Sequence, residues 1–354
     1  MALMNSMNTA FSAMSGFKNG FDAVSNNISN VNSLAFKSSR VNYLSSFSTV
    51  LQRSVPYSKN ANSNQVAMQV GNGIDMGGTP INFSQGALER TELETDLAIV
   101  GNGFFKVADK ISNTEYLTRV GNFRRDSNNF LVTYSQGYHL QGLRYDSTCM
   151  PSYKVNYSPE TGITFEHLDV NQEQNAPTVG DIQIDFNYTD GAIADYDAAA
   201  VAGGHLYLSP EAQAAINGGG ISRDQIIAEA PTINDFSVSD IGEVFYTFND
   251  SNSTKIRGGT ILLTNVKDPQ ALVHEGGGLY SGMDAAGVFN FDSQASGAGK
   301  NGIGYIRSKS LEMSNVDLTK EFSDTITLQR GFQAAARIIT VSDEMLNEVV
   351  NLKR

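Results

Sequence analysis

The chain has 354 residues, of which 40% are hydrophobic, so it is long enough for two or three domains with real cores and is not a disordered protein. Its 37 acidic and 25 basic residues give a net charge of −12, which argues against nucleic acid or an anionic membrane as the main partner, because both attract basic surfaces. The single cysteine, Cys149, excludes an intramolecular disulfide framework.

The amino terminus does not have the pattern of a cleaved secretory signal. It carries no basic residue before Lys18 and lacks a compact apolar core, and no run in the chain approaches the ~20 apolar residues that span a bilayer. We therefore expect no membrane insertion, and either a cytoplasmic protein or one that is exported without a cleaved signal.

The first 32 residues repeat apolar side chains at heptad spacing, which predicts a long helix with one continuous apolar seam. The seam comprises Met7, Met14, Phe21 and Ile28 at one heptad position and Leu3, Ala10, Phe17, Val24 and Val31 at the other. The other faces hold mostly Ser, Asn, Thr and Gly, and the segment's only charges are Lys18 and Asp22.

The carboxyl terminus predicts a second long helix. Ser314-Asn-Val-Asp317 resembles a capping signal, in which a side-chain oxygen accepts hydrogen bonds from the first amides and an acid follows three residues on. Thr325 and Ser342 interrupt an otherwise apolar stripe. The stripe comprises Leu318, Phe322, Leu328, Phe332, Ala335, Ile339, Leu346 and Val349.

The residues between these helices predict an all-β middle. Short alternating runs such as Val244-Phe-Tyr-Thr-Phe248 are separated by turn signals such as Gly-Asn-Gly at 101–103. Residues 144–234 differ in composition, with five of the eight prolines and an alanine-rich stretch, which indicates an inserted outer domain. The predicted fold class is α+β, divided into a helical assembly core (1–40 with 314–354), a β-rich domain (41–143 with 235–313) and the inserted domain (144–234).

Motifs for catalysis are absent from the sequence. The four histidines have no metal-ligand spacing, and there is no nucleophile elbow or complete phosphate-binding loop. We therefore expect no catalytic residue, no metal and no cofactor.

The two terminal helices allow two arrangements. Their seams pack on each other within one chain, or they also pack on neighbouring chains. A solvated helix surface is usually charged, whereas small uncharged polar faces suit a helix that is surrounded by others. Repeated head-to-tail contact between copies then produces a helical polymer, and the termini are expected to be largely unfolded until they pack.

Several separate motifs resemble the bacterial flagellar rod and hook proteins. At the amino end the resemblance is carried by VSNNISNVNSLAFKSSR at 24–40, and at the carboxyl end by SNVDLTKEF at 314–322 and QRGFQAAAR at 329–337. Inward, TDLAIVGNGFFKV at 95–107, YLTRVGNF at 116–123 and GYHLQG at 137–142 resemble the β domain of the same proteins. Ala35 and Gly331 depart from the family pattern, which usually has glycine and alanine at these positions. We therefore expect a left-handed turn at Ala35 to carry a steric cost, and Gly331 to make the second helix locally less stiff.

The resemblance implies a structural subunit rather than an enzyme. It implies a hook subunit that self-assembles into a flexible tube and transmits motor torque to the filament, with a distal rod or other basal-body rod protein as the alternative. The implied partners are copies of the chain, the rod, hook-cap and hook–filament junction proteins, and the flagellar type III export apparatus. The implied location is the flagellar basal body and hook, outside the cell after export.

A secreted β-rich adhesin is a further alternative, in which residues 144–234 alone bind a ligand. Under the assembly interpretation, the interface comprises apolar and asparagine side chains of both termini. These are Leu3, Met7, Met14, Phe17, Phe21, Val24, Asn27, Ile28, Asn30, Val31, Leu318, Phe322, Leu328, Phe332, Ile339, Leu346 and Val349.

Overall fold

The structure is a computed structural model. It describes residues 2–54, 66–144, 152–158, 160, 162–168, 178–184, 193–195, 205–249, 255–288, 298–299 and 302–352. Cys149 lies outside these residues.

Two long helices lie at the ends of the chain, and short helices and strands lie between them. The helices are α1 (Ala2–Ser29), α2 (Pro210–Asn217), α3 (Arg223–Glu229), α4 (Met283–Ala286) and α5 (Leu318–Leu352). The strands of the first part are β1 (Asn42–Ser45), β2 (Ser48–Gln52), β3 (Met68–Gly71), β4 (Ile74–Gly78), β5 (Leu88–Arg90), β6 (Leu97–Val100), β7 (Phe104–Asp109), β8 (Thr114–Thr118), β9 (Phe123–Arg125), β10 (Leu131–Thr133) and β11 (His139–Arg144). The remaining strands are β12 (Ser152–Ser158), β13 (Gly162–Leu168), β14 (Thr178–Asp181), β15 (Ile193–Asp195), β16 (Leu206–Leu208), β17 (Ile233–Val238), β18 (Glu243–Phe248), β19 (Lys255–Ile261), β20 (Leu263–Thr264), β21 (Val273–Gly276), β22 (Leu279–Ser281), β23 (Tyr305–Ser308) and β24 (Ser310–Glu312).

The chain divides into two compact units. The helical unit comprises Met1–Gly86 with Met313–Arg354, and the β unit comprises Ala87–Glu312. In the helical unit, α1 packs along α5, and the segment between α1 and residue 86 forms two antiparallel ladders, β1 with β4 and β2 with β3. The β1–β4 ladder lies against α1, where the Tyr43 hydroxyl donates to the Gly16 carbonyl over 3.2 Å.

The β unit is built on a large, mainly antiparallel sheet. Its longest path runs β17-β18-β19-β11-β7-β8-β22-β21, with β9, β10, β14 and β20 attached at its sides. In β18, alternate residues point inward, because Val244, Tyr246 and Phe248 are buried and the residues between them are half-buried. The inward side chains form one hydrophobic core around Phe105, Val107 and Leu140.

A smaller sheet forms a second core within the β unit. Its order is β13-β12-β16-β15, with parallel pairing of β12 with β16 and of β15 with β16. Ala212 of α2 and Ile226 of α3 are buried in a cluster with Tyr153 and Leu206 of this sheet. A capping box at Ser222 and Gln225 fixes the start of α3.

A buried ion pair with Glu312 joins two of the motifs noted in the sequence, 95–107 and 116–123. The Arg119 and Glu312 side chains are 3% and 0% exposed, with 3.4 Å between Arg119 Nη1 and Glu312 Oε2. Arg119 also donates from Nη2 to the Gly101 carbonyl and from Nε to the Gly103 carbonyl, over 2.6 and 3.0 Å. Burial beside this pair raises the pKa of the Tyr280 phenol to about 12. Since a buried charge needs compensation on every side, these contacts hold the Gly-Asn-Gly turn in place.

The predicted mainly-β middle between an amino-terminal and a carboxyl-terminal helix is confirmed. The three-part domain division stays a prediction, and the compact units divide the chain at residues 86 and 312. No helix in the described part of the chain is long and apolar enough to cross a bilayer.

Two helix boundaries differ from the sequence prediction. The first helix ends at Ser29, so Asn30 and Val31 lie in the turn that follows it. The cap of α5 is Asp317 rather than Ser314, because Asp317 Oδ1 accepts the amide of Thr319 over 2.9 Å. A carboxylate caps as well as a hydroxyl does, so the sequence signal was consistent with either residue.

Candidate assembly surface

The terminal helices form an antiparallel pair in a single register. Asn27 lies opposite Glu321, Gly20 opposite Leu328, and Phe17 opposite Gly331. Each step back along α1 matches an equal step forward along α5. Spacings of three and seven residues keep these positions on one face of each helix, as in a coiled coil.

Glycines allow the two helices to approach closely. A Cβ on Gly331 would stand 2.8 Å from the Phe17 ring, and one on Gly20 would stand 3.1 Å from a Leu328 methyl group. The sequence predicts a locally less stiff helix at Gly331. In the structure α5 is continuous through this position, and the Phe17 ring packs against Gly331.

Asn27 is the polar centre of the seam and is only 1% exposed. Its amide nitrogen donates to Glu321 Oε1 over 3.2 Å and to the Ser39 carbonyl over 2.8 Å, and its amide oxygen accepts the Ser39 N–H over 3.0 Å. The side chain therefore ties the end of α1 to the start of α5 and to the returning chain. Asn30 serves the local turn, where it donates to the Asn26 carbonyl over 2.9 Å.

The two end motifs are joined by a second set of hydrogen bonds. The buried Lys37 ammonium donates to the Ser84 carbonyl over 2.8 Å. The Asn315 amide donates to the Asn82 carbonyl over 2.7 Å, and its oxygen accepts the Ser38 N–H over 2.8 Å. These residues explain the sequence at 34–40 and 314–317, because each polar side chain pairs with backbone groups that would otherwise be unsatisfied.

Burial raises the pKa of the Glu321 carboxyl above its usual value, and the nearby Asp324 and Asp317 add to the rise. The hydrogen bond from Asn27 acts in the opposite direction. Glu321 therefore interrupts the apolar seam with a group whose charge is disfavoured where it lies.

Ala35 adopts the left-handed conformation that the sequence motif suggested. Its φ is +52°, and its side chain is buried. An L-residue pays a steric cost in this conformation that glycine avoids. The turn after α1 is therefore made, with strain, by alanine.

The predicted interface residues divide by exposure. Val24 and Asn27 are buried within the chain, and the side chain of Leu3 lies outside the description. Met14, Phe17, Ile28, Asn30, Val31, Leu328, Ile339 and Leu346 are half-buried, most of them along the α1–α5 seam. The exposed members are Met7, Phe21, Leu318, Phe322, Phe332 and Val349.

Sequence reasoning missed further exposed apolar side chains in the same unit. On α1 and α5 these are Phe11, Ile326, Ile338, Val341, Met345, Val350 and Leu352. On the two ladders they include Leu44, Phe47, Val50, Leu51, Met68, Val70 and Met76. The spacing of Ile338, Val341, Met345 and Leu352 repeats every three, four and seven residues, so a search for a second stripe on α5 would have found them.

The described residues contain no group of three or more His, Cys, Asp or Glu side chains that could hold a metal ion. His139 lies 3.2 Å from Asp181, which also pairs with Lys110 over 2.7 Å. This cluster lies on the large sheet of the β unit, where β11 pairs with β14.

Two protein-family models match the chain. The "Flagellar hook protein FlgE/F/G D1 domain" matches residues 98–196, and the "Flagellar basal body rod FlgEFG protein C-terminal" matches residues 307–352. A solved structure, the flagellar hook protein FlgE2 of Helicobacter pylori, aligns with 64% of this chain and all of its own at a TM-score of 0.35 and 11% identity.

Full-length relatives cover the whole chain. The flagellar basal-body rod protein FlgG of Bacillus subtilis is 30% identical over 353 residues, covering 99% of this chain and all of the relative. The flagellar hook protein FlgE of Rhizobium meliloti is 27% identical over 435 residues, with both chains fully covered. On this evidence the chain belongs to the family of flagellar hook and basal-body rod proteins, which are structural components of the bacterial flagellum.

Proposed function

We propose that the chain is a hook subunit whose copies assemble through α1 and α5 into a flexible tube that passes motor torque to the filament. The exposure of the helical unit carries this proposal. Phe322 is 52% exposed and Phe11 is 63% exposed, and they belong to a unit whose surface exposes many further apolar side chains on both helices and the ladders. A surface of this kind is a protein interaction site rather than an ordinary solvated face.

The composition of α1 supports the same proposal. Its only charged residues are Lys18 and Asp22, so the helix lacks the charged face that keeps an isolated amphipathic helix in solution. Ser, Asn and Thr side chains pack against neighbouring helices at a smaller desolvation cost than charged ones do. Contacts between identical copies that do not close into a ring produce a tube or filament.

A basal-body rod subunit is the second candidate, and the relatives favour it on one point. The alignment with the Bacillus rod protein spans 353 residues, close to the length of this chain, whereas the alignment with the Rhizobium hook protein spans 435. The hook relative therefore carries segments that this chain lacks.

The partners follow from the assignment. They are further copies of the chain, the rod on one side, the junction proteins on the other, and the cap and export apparatus during growth. Within this proposal, residues 1–40 and 314–354 form the assembly core, 41–143 and 235–313 the inner β domain, and 144–234 the outer domain.

Electron microscopy of the purified full chain at rising concentration tests the proposal. We expect tubes or short polymers, and we expect a variant lacking residues 2–29 to remain monomeric while its β unit stays folded by circular dichroism. A matched variant, Phe130→Ser on the β unit, should still polymerise. A wild-type chain that stays monomeric, with both terminal helices already resistant to protease, would contradict the proposal.

Shape and complementation separate hook from rod. Curved polymers, and restored motility in cells that lack their own hook protein, are expected for a hook subunit. Straight polymers, and rescue only of cells that lack the distal rod protein, would assign the chain to the rod.

A further inference from the structure

The end of α5 extends past the beginning of α1. The register that places Asn27 opposite Glu321 and Phe17 opposite Gly331 brings Ala2, the first described residue of α1, opposite residue 346. Val349 continues the seam of α5 beyond that point. Val349, Val350 and Leu352 are 56%, 63% and 87% exposed, so this overhang is an apolar helix end that no described part of the chain covers.

The same unit contains a groove with complementary properties. An apolar groove of about 930 Å³ lies between α1, the β2–β3 ladder and α5, and it is lined by Ala10, Ala13, Leu51, Val70, Ala334 and Ile338. It continues along α5 past Ala334 and Ile338 to a rim formed by Arg330 and Arg337. The groove is therefore apolar at its floor and basic at one edge.

From Arg330 onward, two basic residues of α5 precede three acidic ones. Within the described part of the chain, neither Arg330 nor Arg337 has an ion-pair partner, and both are exposed. Asp343, Glu344 and Glu348 follow them near the overhang, and Glu344 and Glu348 repel each other at a spacing of four residues. These charges form no stabilising pairs within the described helix. The acidic part of one copy is complementary in charge to the basic part of a second copy that is displaced along the helix axis.

We infer that the overhanging end of α5, residues 343–352, inserts into the groove of a second copy of this chain, with its apolar side chains against Ala334 and Ile338 and its acidic side chains against Arg330 and Arg337. The inference rests on the proposed self-assembly and specifies one of its contacts. The contact joins two different surfaces of identical chains, so it repeats from copy to copy without closing.

Disulfide trapping tests the contact directly. In a Cys149→Ser background, the full chain carrying Ala334→Cys and Val349→Cys is assembled and mildly oxidised. The two cysteines lie fifteen residues apart on one helix, about 22 Å, and cannot bridge within a chain. We expect a ladder of dimers, trimers and longer covalent oligomers on a denaturing gel.

The matched control pairs Ala334→Cys with Thr319→Cys, which is exposed and lies fifteen residues from Ala334 in the other direction. We expect at least a tenfold weaker ladder from this pair. Equal ladders from the two variants, or polymers seen by electron microscopy that give no ladder with either, would overturn the contact and leave self-assembly standing. The absence of polymers would overturn the proposed function itself.

Charge reversal provides an independent measurement. Arg330→Glu with Arg337→Glu should raise the concentration needed for polymerisation at least tenfold, and adding Glu344→Arg with Glu348→Arg should restore it to within threefold of wild type. Arg124→Glu with Arg125→Glu on β9 changes the net charge equally and should have no effect. If the quadruple variant polymerises no better than the Arg330→Glu, Arg337→Glu double variant, the proposed pairing is wrong.

Discussion

The β unit and the helical unit bury their apolar residues in different ways. In the β unit, Phe105, Leu117 and Leu140 are fully buried, and the large sheet shares one core with β6 and β23. In the helical unit, Phe11, Phe322 and Leu352 are all more than half exposed, and the best buried side chains include the polar Asn27 and Lys37. The described residues of the β unit therefore bury a core of their own, whereas the helical unit combines buried polar contacts with many exposed apolar side chains.

The largest effect on unfolding should come from the β core. Phe105→Ala removes a ring that packs edge-on against Phe123, with 5.4 Å between centroids. We expect a loss of about 3–5 kcal/mol in the free energy of unfolding, because a cavity adds to the lost transfer energy. Urea denaturation of the full chain, followed by tyrosine fluorescence, measures the loss. The exposed Ile111→Ala is the control, and a loss of similar size from it would contradict the description of this core.

A smaller loss is expected at the polar centre of the helical unit. Asn27→Ala leaves the Ser39 backbone groups and the Glu321 carboxyl without their partner, which should cost about 1–3 kcal/mol. Hydrogen exchange at the α1–α5 pair should rise, whereas exchange in the β sheets should not change. Asn26→Ala, on an exposed neighbour, should have no such effect. Equal exchange in the two variants would show that the Asn27 contacts do not hold the pair together.

Replacing alanine at the strained turn should stabilise the helical unit. Ala35→Gly removes the cost of a positive φ, which is worth roughly 0.5–1 kcal/mol after the greater freedom of the unfolded chain is subtracted. Ala334→Gly, in the middle of α5, should instead destabilise by about 1 kcal/mol. Thermal melting of the two variants side by side checks the opposite signs, and a loss of stability from Ala35→Gly would mean that its buried methyl group outweighs the strain.

A still smaller effect is expected from the buried carboxyl. Because the pKa of Glu321 is higher in the folded than in the unfolded chain, the folded chain binds more protons between the two values. Stability from this group therefore falls as pH rises through that window, which begins near the ordinary pKa of glutamate. Glu321→Gln should flatten this dependence and stabilise the chain at pH 7. The control Glu344→Gln, on the exposed side of α5, should leave the profile unchanged.

The smallest effect on the free energy of unfolding is expected from the exposed Phe322, although its effect on assembly should be large. Phe322→Ser changes an exposed side chain, so the free energy of unfolding should move by less than about 0.5 kcal/mol. Under the proposed function, polymerisation should nevertheless weaken. Denaturation and sedimentation of the same sample measure both quantities, and a variant that unfolds easily but polymerises normally would reverse the distinction between the units.

The periodicity of apolar residues predicted the two long helices, which depend mainly on local sequence. The heptad spacing predicted α1 and the apolar stripe predicted α5, and Phe17 and Leu328 lie at the contact between the two helices. The end of α1 was placed too late, because Val31 continues the apolar repeat although the hydrogen bonds of the turn end the helix at Ser29. A repeat of apolar side chains does not determine at which residue the helix ends.

The tertiary contacts were beyond what the sequence alone could give. No pattern indicated that Asn315 bonds to Asn82 and Ser84, or that Met1–Gly86 forms one compact unit with Met313–Arg354. Helix propensity, which is a local quantity, predicts that Gly331 weakens α5. Its role in the structure depends instead on contact with the Phe17 ring, more than three hundred residues earlier in the chain.

The bond between Asn27 and Glu321 spans 294 positions of sequence. During synthesis from the amino terminus, α1 is made first and has no partner until nearly the whole chain has been released. Closure of such a long loop is slow compared with the folding of local hairpins. The connectivity therefore allows the β unit, which lies between the two helices, to fold before the α1–α5 pair is complete.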